Sequence, residues 1–205
     1  MNTTVEIIKQ LRSETGAGIM ECRNALERSG LQYEDALAYL RETAKVNAQK
    51  QANREARQGR VELYSHGDGR IGVMVEINTE TEFASRSEAF RNFAHEIALH
   101  IAAAAPLYVR DEDIPREVLD EQALEASEKA RRAGKPERII ERIVEGVLEK
   151  YRNRYVLLRQ PYIRDETLNI AQMLNQVINQ VGENIVIRRF QRWEIAPDSE
   201  MEAAS

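Results

Sequence analysis

Residues 61–77 of this 205-residue chain, VELYSHGDGRIGVMVEI, carry the strongest signal of its fold. In each half of the stretch, apolar side chains stand at alternate positions, a period of two that is typical of β-strands. The residues between the halves, Gly67-Asp68-Gly69-Arg70, are rich in glycine, as tight hairpin turns are. The stretch therefore predicts a β-hairpin near the middle of the chain.

A long helix is predicted soon after the hairpin. Ser85-x-x-Glu88 is a capping-box pattern for its start, and Pro106 ends it because proline cannot continue a helix. Apolar residues at helical spacing define its inward face, which consists of Phe90, Phe93, Ala94, Ile97, Ala98 and Ile101.

Three more helices and a closing strand are predicted after Pro106. Proline suits the first turn of a helix, glycine ends helices, and a run of β-branched and aromatic residues predicts a strand. The helix that begins near Pro115 is strongly charged, so we expect it to be exposed. The expected elements are helices at 115–134, from 136 onward and at 168–182, an irregular segment at 159–165 and a strand at 185–195.

The N-terminal part of the chain predicts three short helices. Thr3-x-x-Glu6 is a capping box for the first helix, Gly16 and Gly18 end it, and Gly30 ends the second. Apolar residues at helical spacing predict the inward faces, with Val5, Ile8 and Leu11 in the first helix, Cys22, Ala25 and Leu26 in the second, and Tyr33, Ala36, Leu37 and Leu40 in the third.

These patterns together predict an α+β fold, with an N-terminal three-helix module and then a small antiparallel sheet packed with helices on one face. The expected segments are the module at 1–45, a helical linker at 46–59, a core and dimerisation domain at 60–195 and a disordered tail at 196–205. A three-stranded sheet has two open edges, and an open edge can pair with another chain.

The composition narrows the class of protein. Hydrophobic residues make up 42% and charged residues 31%, which indicates a globular chain, and no apolar run approaches the ~20 residues of a membrane span. The N-terminus carries charges within its apolar run, unlike a secretory signal, and the single cysteine, Cys22, forms no intrachain disulfide. Both features favour a cytoplasmic location. The net charge of −5 disfavours nucleic acid as the main partner.

One stretch is nevertheless basic. Within residues 45–60, five cationic side chains stand against Glu55 alone; they are Lys45, Lys50, Arg54, Arg57 and Arg60. The simpler interpretation is a solvated helix face. The alternative function for the chain is RNA binding through this basic stretch, since phosphates attract such clusters.

Motifs for catalysis and cofactor binding fail on their context. Gly67-x-Gly69-x-x-Gly72 matches a dinucleotide-binding pattern, but a strand follows it where the motif needs a helix. His95 and His100 lie five positions apart, whereas two zinc ligands on a helix lie four apart. The sequence therefore predicts no cofactor, no metal and no covalent chemistry, so the chain is not expected to be an enzyme.

Three other residues with reactive groups have structural explanations. Cys22 shares a helix with apolar inward residues, which indicates an inert core thiol. Asp111 and Asp113 precede a predicted helix start, where the helix dipole stabilises carboxylates.

Three segments in the same order carry a resemblance to a known family. They are LRSETGAGIMEC at 11–22, GRIGVMVEINTETEF at 69–83 and GENIVIRRF at 182–190, and with them essentially the whole chain resembles elongation factor Ts. The resemblance implies a guanine nucleotide exchange factor for elongation factor Tu in translation elongation. Such a factor binds the GDP complex, displaces Mg²⁺ and promotes release of GDP without covalent chemistry.

The resemblance also implies where the partner would be contacted. Thr81, Glu82, Phe83 and Ala84 match the family's Thr-Asp-Phe-Val motif, whose aromatic ring inserts into the GTPase and disturbs its magnesium and phosphate site. Glu82 and Ala84 depart from that motif, which changes the reach of the carboxylate and the apolar contact.

A second group is implied in the N-terminal module, which resembles the ubiquitin-associated type of fold. Arg12, Ile19 and Met20 match the family positions that bind the nucleotide-binding domain of the GTPase, although methionine is usual at the position of Ile19. Short family members also look like homodimers that pair their small sheets, so a homodimer is expected for this chain.

Periodicity alone predicts a different role for Phe83. Thr79-x-x-Glu82 is a capping-box pattern, and Phe83 lies seven residues before Phe90, on the same helical face. On these patterns Phe83 is a core residue, since aromatic residues at helical spacing usually are. The resemblance predicts the opposite, an outward ring.

Overall fold

The structure is a computed structural model that describes residues 4–195. The described residues fall into two compact units. The first is drawn from Met1–Ala102 together with Ala171–Ser205, and the second is Ala103–Ile170. The expected division into a module at 1–45, a linker at 46–59 and a core at 60–195 stays a prediction. The expected disordered tail at 196–205 lies outside the described residues, as does Thr3 of the first capping box.

Three N-terminal helices form a small apolar core in the first unit. They are α1 (Thr4–Thr15), α2 (Ile19–Arg28) and α3 (Tyr33–Gln51). Most predicted inward residues are confirmed, and the buried cluster comprises Leu11, Ala17, Cys22, Ala25, Leu26, Ala36, Leu37 and Leu40. Val5, by contrast, is exposed, because Ile7 and Ile8 fill the inward face of that turn instead.

The third helix is longer than the sequence pattern indicates. It continues to Gln51, well into the predicted linker, and β-structure begins at Gln58 after a short non-helical segment. Ala44 and Ala48 are buried one turn apart on this extension. Because alanine contributes little hydrophobicity, the segment lacks the strong apolar period by which a packed helix is recognised.

The predicted three-stranded sheet is confirmed. The strands of the chain are β1 (Gln58–His66), β2 (Ile71–Thr79), β3 (Pro161–Tyr162), β4 (Asp165–Asn169) and β5 (Ile185–Glu194). Strands β1, β2 and β5 form an antiparallel sheet in the order β1-β2-β5. Gly67, Asp68 and Gly69 all have positive φ in the turn between β1 and β2, so the glycine pattern there belongs to a hairpin.

The two faces of this sheet differ. On β2, Val73, Val75 and Ile77 are buried on the inner face. On β1 the apolar residues Val61 and Leu63 point to the outer face, which means that the polar partners in the alternation point inward. Alternation alone does not say which set of side chains is buried, so this direction had to come from the tertiary structure.

Two helices follow the hairpin, where the sequence predicts one. They are α4 (Glu82–Ser85) and α5 (Glu88–Ala104). The predicted start of the long helix at Ser85 is wrong, because Ser85 ends α4 and Ser87 accepts the hydrogen bond from the Phe90 amide at 3.3 Å. The predicted inward face of α5 is confirmed, and all six of its residues are buried.

Helix α5 covers the inner face of the sheet. His95 makes an edge-to-face ring contact with Tyr64 of β1, and Arg192 of β5 donates to the Ala102 carbonyl at 3.1 Å. The last helix of the first unit, α8 (Ile170–Val181), comes immediately before β5 and ends where Gly182 adopts a φ of 79°. Its predicted end at Gly182 is therefore confirmed.

The second unit contains a helical pair and a small sheet. Its helices are α6 (Arg116–Arg132) and α7 (Glu137–Tyr155), each preceded by the proline that predicted it. The segment predicted to be irregular instead holds the short hairpin of β3 and β4. Asp111 is not simply a helix-dipole residue, because both its oxygens accept from the Arg159 guanidinium, while Asp113 accepts from the Arg110 amide at 2.9 Å.

Candidate functional site

Phe83 projects from the first unit into solvent. Its side chain is 87% exposed, more than any other large hydrophobic residue between positions 4 and 195. The prediction from periodicity, a core-facing Phe83, is therefore wrong, and the direction implied by the family resemblance agrees with the structure. The reason is that Phe83 belongs to the short helix α4 and not to α5, so the spacing to Phe90 does not follow one helix.

Helix α4 is built so that its neighbouring residues anchor it and Phe83 points away. Thr81 is the N-cap and its hydroxyl accepts from the Ala84 amide at 3.2 Å, while the Ser85 hydroxyl donates to the Glu82 carbonyl at 2.7 Å. Ala84 and Ser85 are both buried. With the following residues fixed against the protein, Phe83 occupies the opposite side of the turn.

The four residues of the predicted motif thus differ in accessibility. Thr81, Glu82 and Phe83 are exposed, whereas Ala84 is 3% exposed and can affect a partner only by holding the turn in place. The Glu82 carboxylate forms an ion pair with Arg86 in an exposed position. The predicted capping box from Thr79 to Glu82 is not formed, because Thr79 is a buried residue of β2.

Glu183 binds the segment that leads into this turn. Its carboxylate accepts hydrogen bonds from the Thr79 hydroxyl at 3.0 Å, the Thr81 amide at 2.9 Å and the Thr81 hydroxyl at 2.7 Å. Burial opposes ionisation of Glu183, but these hydrogen bonds favour the carboxylate more strongly, so the pKa of Glu183 lies below its usual value of 4.5. Glu183 lies within the resembling segment at 182–190, but no sequence pattern predicts a role for it.

A second carboxylate, that of Glu80, forms a similar contact in the reverse direction, from the segment before α4 to the residue after Glu183. Glu80 accepts from the Asn184 amide at 2.6 Å, and its carboxylate lies 3.6 Å from the Arg54 guanidinium. The Asn184 side chain in turn donates to the carbonyls of Ala52 and Arg54. The loop after α8 is therefore tied both to the approach to α4 and to the segment before β1. No local sequence signal predicts these bonds, because their partners lie more than a hundred positions apart.

The second predicted group flanks the loop between α1 and α2. Arg12 lies in the last turn of α1, while Ile19 and Met20 begin α2, and all three are exposed. Gly16 in this loop has a φ of 67°, and a Cβ there would lie 2.9 Å from the Gln180 side-chain oxygen of α8. Glycine therefore permits the left-handed backbone between α1 and α2 and leaves room for the Gln180 side chain.

The basic stretch is largely neutralised by nearby acids. Four of its cations lie within 4.0 Å of a carboxylate, in the pairs Lys45–Glu42, Arg54–Glu80, Arg57–Glu55 and Arg60–Glu62. Such pairing lowers the positive potential that a phosphate backbone would meet. The stretch is also not one helix face, since it crosses from α3 into β1.

Side chains that could bear catalysis or bind metal have other surroundings. Cys22 is fully buried, and this burial raises the pKa of its thiol, as expected for an unreactive core cysteine. His100 is buried in α5, whereas His95 is half-exposed and lies 3.5 Å from Glu62. Within residues 4–195, no three histidine, cysteine or acidic residues are grouped as a metal ion would require. No helix in that same range has the length and apolar character needed to cross a bilayer.

The fold and the exposed side chains together indicate what class of protein this is. The fold is α+β, and its exposed side chains include an aromatic ring, Phe83, on the short anchored turn of α4 and two apolar residues, Ile19 and Met20, in the first turn of α2. Surfaces of this kind bind other proteins.

Comparison with known proteins identifies the family. The family model described as Elongation factor TS matches residues 4–177. Elongation factor Ts of Coprothermobacter proteolyticus is 45% identical over 195 residues, covering 95% of this chain and 99% of the relative. The protein of the same name from Caldanaerobacter subterraneus is 48% identical, covering 93% and 96%, and that from Rubrobacter xylanophilus is 46% identical, covering 95% and 100%. The chain belongs to the elongation factor Ts family of translation factors.

Proposed function

We propose that this chain promotes release of GDP from elongation factor Tu, and that Phe83 is the side chain that enters the partner. The observation that carries the proposal is the exposure of Phe83 at 87% on a turn whose next two residues are buried. Burying a phenylalanine side chain contributes about 1.5–3 kcal/mol of favourable free energy. The isolated chain does not obtain this free energy because the ring is in solvent, whereas a complex that covers the ring does.

The proposed mechanism requires no covalent step. A GTPase holds GDP through backbone amides, a lysine and Mg²⁺. A factor that binds the nucleotide-free GTPase more tightly than the GDP complex must weaken GDP binding by the same factor, because coupling between two ligands is reciprocal. Phe83 would contribute by occupying space beside the Mg²⁺ site, so that the ion leaves and the phosphates lose its charge. Glu82 lies next to it and adds a negative charge near the same ion.

The residues at the α1–α2 loop supply a separate contact in this proposal. Ile19 and Met20 are exposed apolar side chains in the first turn of α2, and Arg12 lies across the loop from them. Methionine adapts its shape to a partner surface, and arginine is favoured at protein interfaces. We assign this group to affinity for the GTPase and Phe83 to displacement of the ion.

A homodimer is the second part of the proposal. The outer face of the sheet carries Val61, Leu63, Met74 and Trp193, and two of these, Leu63 and Met74, are directly paired across β1 and β2. Leu63 and Trp193 are each 69% exposed. The same face also carries Gln191 and the Arg189–Glu76 ion pair, and exposed apolar side chains among polar ones on one sheet face are typical of a surface that another copy covers.

A stopped-flow experiment tests the exchange function. Release of fluorescently labelled GDP from elongation factor Tu is followed at increasing concentrations of the chain. The wild-type chain should raise the release rate to a plateau, and Phe83→Ala should lower that plateau roughly tenfold or more, as the burial energy of the ring indicates. Leu124→Ala, which removes another exposed apolar side chain, this one from α6, is the control and should behave as wild type.

Two results would contradict the proposal. If the wild-type chain does not accelerate GDP release at any concentration, the exchange function is wrong. If Phe83→Ala and Leu124→Ala both match the wild-type plateau, exchange is supported but Phe83 is not the side chain that displaces the ion.

A further inference from the structure

We infer that Glu183 is a positioning residue for Phe83, which it holds in its outward direction through Thr81. The inference deepens the proposed exchange function and rests on it. It starts from the shortness of α4, which spans only Glu82–Ser85. A helix of one turn is not stable by itself, because nucleation fixes several residues for a single hydrogen bond. The direction of Phe83 must therefore be set by contacts from outside the turn.

The contact on the N-terminal side is a relay of hydrogen bonds. The Thr81 hydroxyl has one proton, which it donates to Glu183 at 2.7 Å, and it accepts from the Ala84 amide at 3.2 Å. Donation to a carboxylate makes the hydroxyl oxygen a better acceptor, since linked hydrogen bonds polarise one another. Glu183 thus orients the group that caps α4.

The same carboxylate fixes the backbone before the turn. It also accepts from the Thr81 amide and from the Thr79 hydroxyl at the end of β2. The pairing between β2 and β5 ends with Thr79 opposite Ile185, so these bonds extend the connection between the two strands beyond their ladder. The Glu183 side chain therefore restrains the backbone at both Thr79 and Thr81, the two residues on which the direction of the turn depends.

Glu183 is itself held from both directions. Gly182 ends α8 before it, and Asn184 after it donates its amide to Glu80 and its side chain to the carbonyls of Ala52 and Arg54. The two chain segments therefore exchange carboxylate–amide bonds, with Glu183 to Thr81 in one direction and Glu80 to Asn184 in the other. A reciprocal arrangement of this kind resists rotation of either segment.

Two other roles for Glu183 explain its hydrogen bonds less completely. A direct contact with the GTPase would leave its oxygens free for that partner, but three donors from its own chain already occupy them. A general contribution to stability would not require that two of the three bonds converge on the residue that caps α4.

A double-mutant cycle separates these explanations. Glu183→Ala, Phe83→Ala and the double variant are compared with wild type by the plateau rate of GDP release from elongation factor Tu. If Glu183 acts through Phe83, Glu183→Ala should lower the plateau about tenfold, and the double variant should be no slower than Phe83→Ala alone. If the plateau of the double variant is lowered by the product of the two single reductions, the two residues act independently and the inference is wrong. The concentration for half-maximal release should stay within about twofold, since the α1–α2 loop is unchanged.

A conservative variant and a control variant distinguish a specific role of Glu183 from the general effect of removing a carboxylate. Glu183→Gln keeps the shape and one acceptor oxygen, so it should restore part of the plateau that Glu183→Ala loses. Glu137→Gln is the matched control, because Glu137 is also a carboxylate whose pKa is lowered by a hydrogen-bond partner, Arg131, and it lies in the second unit. It should retain the wild-type plateau. Equal losses in Glu137→Gln and Glu183→Gln would contradict a specific role for Glu183.

A measurement without elongation factor Tu keeps the inference distinct from the proposed function. Hydrogen exchange of the Thr81 and Ala84 amides, followed by NMR, reports the two bonds directly. Glu183→Ala should speed exchange at both amides at least tenfold, while amides in α2 keep their wild-type rates. Unchanged rates at Thr81 and Ala84 would overturn the inference even if GDP release is accelerated. Faster rates in a chain that does not act on the GTPase would contradict only the exchange function.

Discussion

Phe83 and Ala84 are consecutive residues with opposite surroundings, the first 87% exposed and the second 3% exposed. The contrast follows from the single turn of α4, in which Ala84 contacts the protein interior and Phe83 the solvent. It separates two kinds of substitution that sequence position alone would not distinguish.

The free energy of unfolding should change little when Phe83 is substituted and should fall clearly when Ala84 is substituted. Phe83→Ala should alter the free energy of unfolding by less than about 0.5 kcal/mol, as exposed substitutions do. Ala84→Leu should lower it by about 1–3 kcal/mol, because added methylene groups overpack a filled site. Urea unfolding followed by circular dichroism measures both. A loss above about 1.5 kcal/mol for Phe83→Ala would mean that the ring packs within its own chain.

Substitutions at the α1–α2 loop should affect affinity and leave the exchange step unchanged. Arg12→Ala and Met20→Ala should each raise the concentration of the chain at half-maximal GDP release by roughly three- to tenfold, with the same plateau, because they remove binding contacts made equally before and during exchange. Arg116→Ala, an exposed arginine of α6 with an acidic neighbour, is the control. A lowered plateau would place the loop residues in the displacement step.

The outer sheet face should determine the oligomeric state. Leu63→Glu places a charge in the apolar face, so a dimer formed there should dissociate. Sedimentation velocity should show twice the 23.5 kDa chain mass for wild type and the single-chain mass for the variant. Leu107→Glu, at a similarly exposed leucine of the second unit, should remain dimeric. A wild-type chain that sediments as a monomer at micromolar concentration would contradict the homodimer.

Acid should remove the contribution of Glu183 to stability. Its pKa is lowered in the folded chain, so the unfolded chain binds the proton first, and the stabilisation is present above about pH 4.5 and lost as pH falls below it. The difference in free energy of unfolding between wild type and Glu183→Gln should therefore be largest near neutral pH and shrink in acid. Urea titrations from about pH 7 to about pH 3 would reveal it. A difference that is constant with pH would show that the Glu183 charge does not take part in these bonds.

Binding of bulk RNA should be weak and should depend little on salt. Four of the five cations in the basic stretch already have acidic neighbours, so few counterions would be released by phosphate contacts. Filter binding at two salt concentrations measures this dependence. A steep fall in affinity with salt, abolished by replacing Lys50 and Arg57 with alanine, would instead support the RNA-binding alternative.

Much of the fold could be predicted because its signals are local. The hairpin at 61–77 follows from alternation around a glycine-rich turn, and the buried face of α5 follows from residues spaced along one helix. The expected breaks around α2 are confirmed, since Gly18 directly precedes the helix and Gly30 lies two residues after its end at Arg28. The small hairpin of β3 and β4 was missed because strands of two and five residues are too short for a period to be visible.

Most of the elements, their order and, through the resembling segments, the family could be read from the amino-acid sequence alone. Three features became visible only in the folded chain: Val61 and Leu63 of β1 face outward, Phe83 points away from the core, and Glu183 binds the residues before Phe83. The cause is the separation along the chain over which each interaction acts. Periodicity and capping act within a few residues, whereas the direction of a four-residue helix is set by a carboxylate 102 positions away in the chain, which only folding brings within 2.7 Å of Thr81.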